Sequence, residues 1–460
     1  MRGRLPFYTQ ARPPLLARAN FVWSRLESHM EHTTKNKAHN SSPGTANSAL
    51  QPIADSERVF GWKEQASLWF SMGVGLLVIQ VGAYLVPGIS TTGAMVAIVL
   101  GSIIGSALLA WTAHVGCASG LTSAGLMHRT FGSGFARVPV LLNIVQLIGW
   151  TTFELVIMRD GTLAIGRNSL GLALDGSVFT LLSTALWTGV LLLLVSGSMT
   201  RLVRKIIGRF GLPLVIASLL WLTWQFAGKI QAQGLDAFWA QKGDGSMGLL
   251  AAMDLVIGMP VSWLPLVADY ARHGKDRRSA ASGTFTGYAI SNIWCYVLGV
   301  MVATVAPKDG DLVSWLLLAQ GGLIALSLVL VDEIDNAYGD VYSGSVSAHS
   351  IVSRLSIRQW GLALTLLCMV LAMVLPMQSI EPFLLMLSSI FVPLYGVILG
   401  RTRGAAANGR AIEPVAAAIW IGGIVLFQGI SNFAPEWGAT LPSLAITFAL
   451  AWVTRARNGS

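Results

Sequence analysis

The sequence predicts an all-α membrane protein of twelve transmembrane helices, on the strength of its composition, its repeated apolar runs and the phase of its charges. Of 460 residues, 53% are hydrophobic and only 12% charged, whereas soluble chains carry about a quarter charged residues. The mean hydropathy of +0.62 agrees. A soluble fold of this length needs more polar surface to cover its core; a bilayer removes that need, because lipid tails solvate apolar side chains.

Residues 1–60 precede the first apolar run. They are basic (Arg2, Arg4, Arg12, Arg18, Arg25) and then rich in Ser, Asn and Thr, and they read as a disordered cytoplasmic tail. No apolar segment followed by a small-residue cleavage site marks a targeting peptide. Met30 offers an alternative start. Residues 61–460 form the transmembrane domain.

Spanning the hydrocarbon core takes roughly 20 apolar helical residues. The runs that qualify are 66–87, 92–114, 138–158, 177–197, 206–227, 248–270, 284–306, 321–347, 359–376, 380–400, 412–431 and 437–454. Helix is the reading for each, since backbone groups in lipid must pair internally and no barrel-type alternation is present.

The charges set the parity. Even-numbered connections hold Arg129 and Arg137; Arg201, Arg204, Lys205 and Arg209; Arg272, Lys275, Arg277 and Arg278; Arg354 and Arg358; Arg401, Arg403 and Arg410. Odd-numbered connections hold Arg159, Arg167, Lys229, Lys242 and Lys308, mixed with Asp160, Asp175, Asp236, Asp244 and Asp309. This positive-inside pattern needs an even number of spans with both termini cytoplasmic. The net charge of +9 thus reports topology, and no nucleic-acid partner is expected. Cys117, Cys295 and Cys368 are far apart, form no metal-ligand cluster, and read as small buried hydrophobes.

Four spans carry features beyond hydrophobicity. Span 1 contains Gly73-Val74-Gly75, and span 6 contains Gly258-Met259-Pro260 with Pro265 beyond. If the first ten spans form two five-helix repeats, these interruptions fall at corresponding places, the best sequence pointer to a midplane binding site. The alternative is ordinary kinks and close-packing glycines. Span 3 carries Gln146, Trp150 and Glu154 four residues apart on one face, an aromatic plane beside an amide and a carboxylate, suited to a flat heterocycle with ring N–H groups. Ser262 follows Pro260 in span 6, while Asp269 and Arg272 at its cytoplasmic end read as a structural pair or cap.

Span 8 is the most polar. Asp332, Asp335 and Asn336 share a face at i, i+3 and i+4, able to offer oxygens to Na⁺ or a protonatable site to H⁺. Acids within a membrane are costly and ask for a reason. A competing reading starts the span near Leu312 and leaves the acids solvated beyond Val331. Against it, Gly321-Gly322 provides a natural break.

The stretch Met259 to Arg272 resembles the span 6 signature of the nucleobase–cation symporter-1 family, the purine–cytosine permeases. Leu142 to Trp150 and Asp340 to Ser347 resemble spans 3 and 8 of its hydroxymethylpyrimidine and cytosine transporter branch. The resemblance runs from about Trp62 to the last span. It implies a LeuT-type fold of 5+5 inverted repeats (spans 1–5 and 6–10) plus two C-terminal helices, with a site between spans 1, 3, 6 and 8. Trp150 would stack on the ring, Gly258 and Met259 would line the pocket, and Asp332 would face the substrate. A cation, Na⁺ or H⁺, would sit between span 1 carbonyls near Gly73 and Gly75 and the groups of Asp335 and Asn336. Glu154, Asp332, Asp335, Asn336 and the lack of an aromatic near Met259 depart from the family pattern, and the extra carboxylates suit protons or a more basic or donor-rich substrate.

The expected activity is cation-coupled import of a pyrimidine-like base by alternating access, in a bacterial inner membrane. The expected partners are a small heterocycle, lipid and the coupling ion, with no other cofactor and a monomer as the working unit. An amine or amino-acid symporter of the same fold is the alternative. An integral membrane enzyme would want clustered catalytic groups, and the seven His residues are scattered. A continuous channel fits paired broken helices poorly.

Overall fold

The computed structural model describes residues 48–173, 176–197, 200–307, 310, 312–375, 380–402 and 410–455; most of the proposed tail lies outside them. Span 1 is two helices, α1 (Trp62–Ser71) and α2 (Leu76–Tyr84), meeting at 61°. Then come α3 (Thr91–Ser119, span 2), the short α4 (Ser123–Phe131), α5 (Arg137–Leu170, span 3), α6 (Ser177–Ser196, span 4), α7 (Thr200–Gln233, span 5) and the short α8 (Leu235–Trp239). Span 6 is α9 (Leu249–Ser262) and α10 (Leu264–Ala271), followed by α11 (Arg277–Val305, span 7), the short α12 (Leu312–Leu317) and α13 (Gly322–Ile351, span 8). The chain finishes with α14 (Ile357–Val374), α15 (Ile380–Gly400), α16 (Pro414–Phe433) and α17 (Thr440–Val453), spans 9 to 12.

Among the described residues, nine helices are long and apolar enough to cross a membrane, and the bent α1–α2 pair makes ten. The other two of the twelve are α13, whose four acids lower its hydropathy, and the 14-residue α17. Local signals explain the ends. Ser90 and Thr122 accept from Gly93 N (3.1 Å) and Gly125 N (2.9 Å) to start α3 and α4. Ser356 and Gln359 form a capping box on α14. Gly120 and Gly171, both at positive φ, stop α3 and α5.

Backbone bonds between connections support the parity read from the charges. Ser133 N and Gly134 N donate to Arg410 O and Ala411 O, joining connections 2 and 10. Asp244 N and Met247 N donate to Pro87 O and Gly88 O, joining connections 5 and 1. Even connections meet even ones, and odd meet odd. Phe60 lies beside connection 6, and Arg401 donates to Thr454 O, so both ends of the described chain lie on one face.

The tail boundary needs correction. Residues 48–60, read as the end of a disordered tail, are packed. Phe60 and Ala49 are buried. Ile53 N donates to Gly120 O at 2.9 Å, Val59 N and Phe60 N to His273 O, and Lys275 N to Phe60 O. Arg58 donates to Cys117 O at 2.6 Å. The segment is polar because it lies across helix ends and satisfies their open carbonyls.

Two groups of helices form the body. Spans 1, 2, 6 and 7 pack together, with α11 against α1, α2 and α3, and α9 against α3; spans 3 and 8 (α5 and α13) form the core of the second group, flanked by α6, α7 and α14. Small residues set the first group's spacing: Gly283, Gly287, Ser291, Cys295 and Gly299 recur every four residues along α11. A Cβ at any of those three glycines would meet the backbone of α1 or α2, the close approach that small residues permit. Span 6 is 89% buried, against 28% for α16. Exposed faces such as that of α6 (Val178, Leu181, Leu182, Leu186) are apolar, as lipid contact requires. The three cysteines are buried and free.

Candidate transport site

At the span 1 break, residues 72–75 leave α2 with unpaired N–H groups and α1 with unpaired carbonyls, as any helix end does. The neighbouring α13 satisfies them. Leu76 N donates to Glu333 Oε1, and Asn336 Nδ2 donates to Val74 O at 3.0 Å, with Glu333 Oε2 at 3.4 Å. Ser71 Oγ donates to Asp332 Oδ1 at 3.2 Å and lies 3.5 Å from Asp335 Oδ2. Asp332, Glu333, Asn336 and Asp340 are all buried and the helix is continuous from Gly322. This decides for the intramembrane reading of span 8; Gly321, at φ 69°, makes the break before it.

Span 6 breaks later than the sequence suggested. The helix runs through Gly258, Met259 and Pro260, and the irregular residue is Trp263. Pro260 cannot donate to Val256 O, but Tyr296 of α11 does so at 3.2 Å, so the helix continues. Beyond it, Trp263 N and Leu266 N bond one residue short of the α pattern, to Pro260 O and Trp263 O. The freed carbonyls find side chains: Met259 O accepts from Ser262 Oγ (2.7 Å) and Ser262 O from Gln146 Nε2 (3.1 Å), while Pro265 O in the next helix accepts from Asn143 Nδ2 (3.0 Å). Leu249–Ala271 remains one span, unlike the bent span 1.

Between the breaks lies a small cavity of about 20 Å³, partly open to solvent. Its walls are Met72, Gly75, Leu77 and Val78 from span 1, Trp150 and Glu154 from α5, Met259, Ser262 and Trp263 from span 6, and Glu333, Asn336 and Asp340 from α13. Trp150 is held edge-on by Phe383 at 5.2 Å between ring centroids, and Trp263 by Trp69 at 5.9 Å. Trp150 Nε1, Glu154 Oε2 and Asn336 Oδ1 are buried without a protein partner.

Six of the residues singled out in the sequence thus come together: Gly75, Trp150, Glu154, Met259, Ser262 and Asn336. Five do not line the cavity. Gln146 is spent on Ser262 O and Asn143 Oδ1. Gly258 faces Leu384 and Ser388 of α15, and Gly73 packs on Ser291 of α11. Asp332 and Asp335 turn toward Ser71. At the proposed cation position, Asn336 presents its N–H₂ to the Val74 carbonyl and Asp335 lies toward Ser71. Among the described residues no cluster of three or more His, Cys, Asp or Glu is placed to hold a metal.

Sequence reasoning missed Glu333, Asp340 and Trp263. The first two share a face with Asn336 at i, i+3 and i+7, a spacing as regular as the one chosen. Trp263 is the residue between the two halves of span 6. Asp269 proves to be a cap: its carboxylate accepts from Ser123 N at 2.9 Å, at the start of α4.

Two broken or irregular spans closing on a buried, indole-walled cavity define a solute carrier with a central site. Residues 52–408 match the family described as permeases for cytosine/purines, uracil, thiamine and allantoin, and the chain belongs to that family. It is a multi-pass transporter and not an enzyme. It is 26% identical over 144 residues to the purine-uracil permease NCS1 of Arabidopsis thaliana, a stretch covering 30% of this chain and only 24% of that relative's length. Among solved structures it is similar to Mhp1, a nucleobase-cation-symport-1 family transporter, in a closed conformation with bromovinylhydantoin bound: TM-score 0.75, 15% identity, covering 89% of this chain and 95% of that one. The inward-facing conformation of Mhp1 gives a TM-score of 0.72 at 15% identity, over 90% of this chain and 93% of that one. Structural likeness at identities this low establishes the fold alone.

Proposed function

We propose that the protein imports a pyrimidine-like nucleobase or a thiamine-precursor pyrimidine together with a cation, by alternating access. The observation that carries this reading is the cavity itself. Two indoles, Trp150 and Trp263, flank a space whose polar groups include Glu154 Oε2, Asn336 Oδ1, Trp150 Nε1 and the Asp340 carboxyl. Stacking contributes about 1–3 kcal/mol per base in nucleobase recognition, while these oxygens select a ring edge rich in N–H groups, as in an aminopyrimidine. The family's substrates and the sequence likeness to the hydroxymethylpyrimidine branch point the same way.

The membrane is a bacterial inner membrane, with both termini cytoplasmic and a monomer as the transport unit; the basic even-numbered connections support that orientation. The inward electrical gradient then supplies about 2.3 kcal/mol per charge for each 100 mV. An amine symporter is the competing reading, since Glu154, Glu333 and Asp340 would hold an ammonium group. A zwitterionic amino acid fits less well, because among the described residues no Lys, Arg or His lines the cavity to meet its carboxylate.

Uptake of labelled cytosine and hydroxymethylpyrimidine into proteoliposomes, with Na⁺ or H⁺ gradients imposed separately, tests the assignment. Gradient-dependent accumulation of at least one is expected, and an excess of the other pyrimidine should compete better than a simple amine. Accumulation of neither under any gradient would sink the reading.

A further inference from the structure

We propose that the coupling ion is a proton and that it rides on a carboxyl pair, Glu154 of α5 and Glu333 of α13, with Glu333 linking the proton to the broken span 1. This deepens the transport reading and rests on it.

The two carboxyl groups, brought together from different helices, are hydrogen-bonded to each other. An ionised carboxylate only accepts, so such a bond requires a proton on one partner. Glu333 spends its oxygens as acceptors, Oε1 on Leu76 N and Oε2 on Asn336 Nδ2. Glu154 is therefore the donor. Its second oxygen, Oε2, is buried, lines the cavity and has no protein partner, so the proton-bearing group also faces the place where substrate would lie.

The surroundings leave the pair no other counter-charge. Asp332 and Asp340 face it from α13, with Asp335 beyond Asp332; Cys295 faces Glu333 and Asp332 from α11, and Cys368 of α14 faces Asp340. Among the described residues, the span 1 and span 6 walls contribute no titratable group, and no Lys, Arg or His lines the cavity. Two adjacent carboxylates cannot both stay ionised once water is excluded. Closure around the substrate thus requires one proton, or a substrate that brings its own. Losing that proton sets a second negative charge beside Glu333, the group that tethers α2 through Leu76 N. Proton release and loosening of the broken span become one event. For a neutral base, each cycle takes one proton from the outer solution and releases it to the cytoplasm, moving one positive charge inward.

The test uses the full-length protein in Na⁺-free proteoliposomes with the membrane potential clamped at zero and labelled cytosine as the probe. One-to-one coupling predicts up to about tenfold accumulation for each pH unit by which the lumen is more alkaline. Glu154→Gln is expected to reduce that ratio to about one. In the absence of substrate, the infrared carboxylic C=O band of the wild type should lose intensity in Glu154→Gln. In a parallel series with Na⁺ added on one side, accumulation driven by the Na⁺ gradient at equal pH, with no response to a pH gradient, would overturn the proposal. So would full pH-driven accumulation by Glu154→Gln, or infrared spectra identical in the carboxylic region. If wild-type protein carries no cytosine under any gradient, the cytosine reading fails, and the infrared comparison still decides whether the pair holds a proton. Because the wild-type gradient measurement is decisive alone, poor folding of the variant does not remove the test.

Discussion

Trp150 illustrates how one side chain acquires a role from its neighbours. Its indole is fixed edge-on by Phe383 at 5.2 Å, and Gly149 leaves room for that phenyl ring. Trp150 lines the cavity, and its Nε1 is buried without a protein partner. Trp150→Ala should weaken pyrimidine binding by about 1–3 kcal/mol, roughly 5- to 150-fold, while the protein stays folded. Isothermal titration alongside thermal unfolding checks both parts; unchanged affinity would remove the stacking role. Asp254 shows the opposite case. Buried in α9, it accepts from Ala439 N at 2.5 Å and Thr440 N at 3.2 Å, and so anchors the start of α17. Nothing in the sequence near Asp254 signals a partner 185 residues away.

Helix ends in this chain are the places where local chemistry and tertiary contacts divide the work. Asp276 starts α11 by accepting from Ser279 N at 2.8 Å. Bonds from the Ser279 backbone N–H and then its side chain hold the Asp276 carboxyl below its usual range. A depressed carboxyl adds stability above its unfolded value of about 3.9, and that contribution is lost as pH falls through the lower folded value. Asp276→Ala should cost about 1 kcal/mol of stability and Asp276→Asn much less; thermal unfolding at neutral pH distinguishes them. The span 1 and span 6 breaks depend instead on other helices. Glu333 and Asn336 close the first, while Tyr296, Gln146 and Asn143 close the second. That is why the Pro260 region, which reads as a break in one dimension, remains helical in three.

Taken as a whole molecule, the protein is organised by which connections meet. Even connections bond to even ones and odd to odd, and both ends of the described chain meet even connections, as an even number of spans requires. Tags at the two termini should therefore be cleaved by protease from the same side, the cytoplasmic one, in right-side-out and inverted vesicles compared in parallel. Cleavage of the two tags from opposite sides would contradict both the charge phase and the fold. The grouping of spans 1, 2, 6 and 7 apart from α5 and α13 places the cavity on the boundary between groups, where relative movement would open it to either face.

Hydropathy and charge are sums along the chain, so twelve spans, their approximate limits and their parity were determined by the sequence alone. The polar character of spans 3 and 8 was equally legible, since Trp150, Glu154 and Asn336 stand out from apolar surroundings. Which side of α13 meets the cavity was not. Successive residues of a helix point about 100° apart, so Asp332 and Glu333 look equivalent in sequence. Packing against α5 and span 1 turned Glu333 toward Glu154 and Leu76, and left Asp332 with Ser71. Only the tertiary structure decided that rotation, because it is set by side chains of other helices; the twelve spans were legible beforehand, because each needs only itself and the lipid.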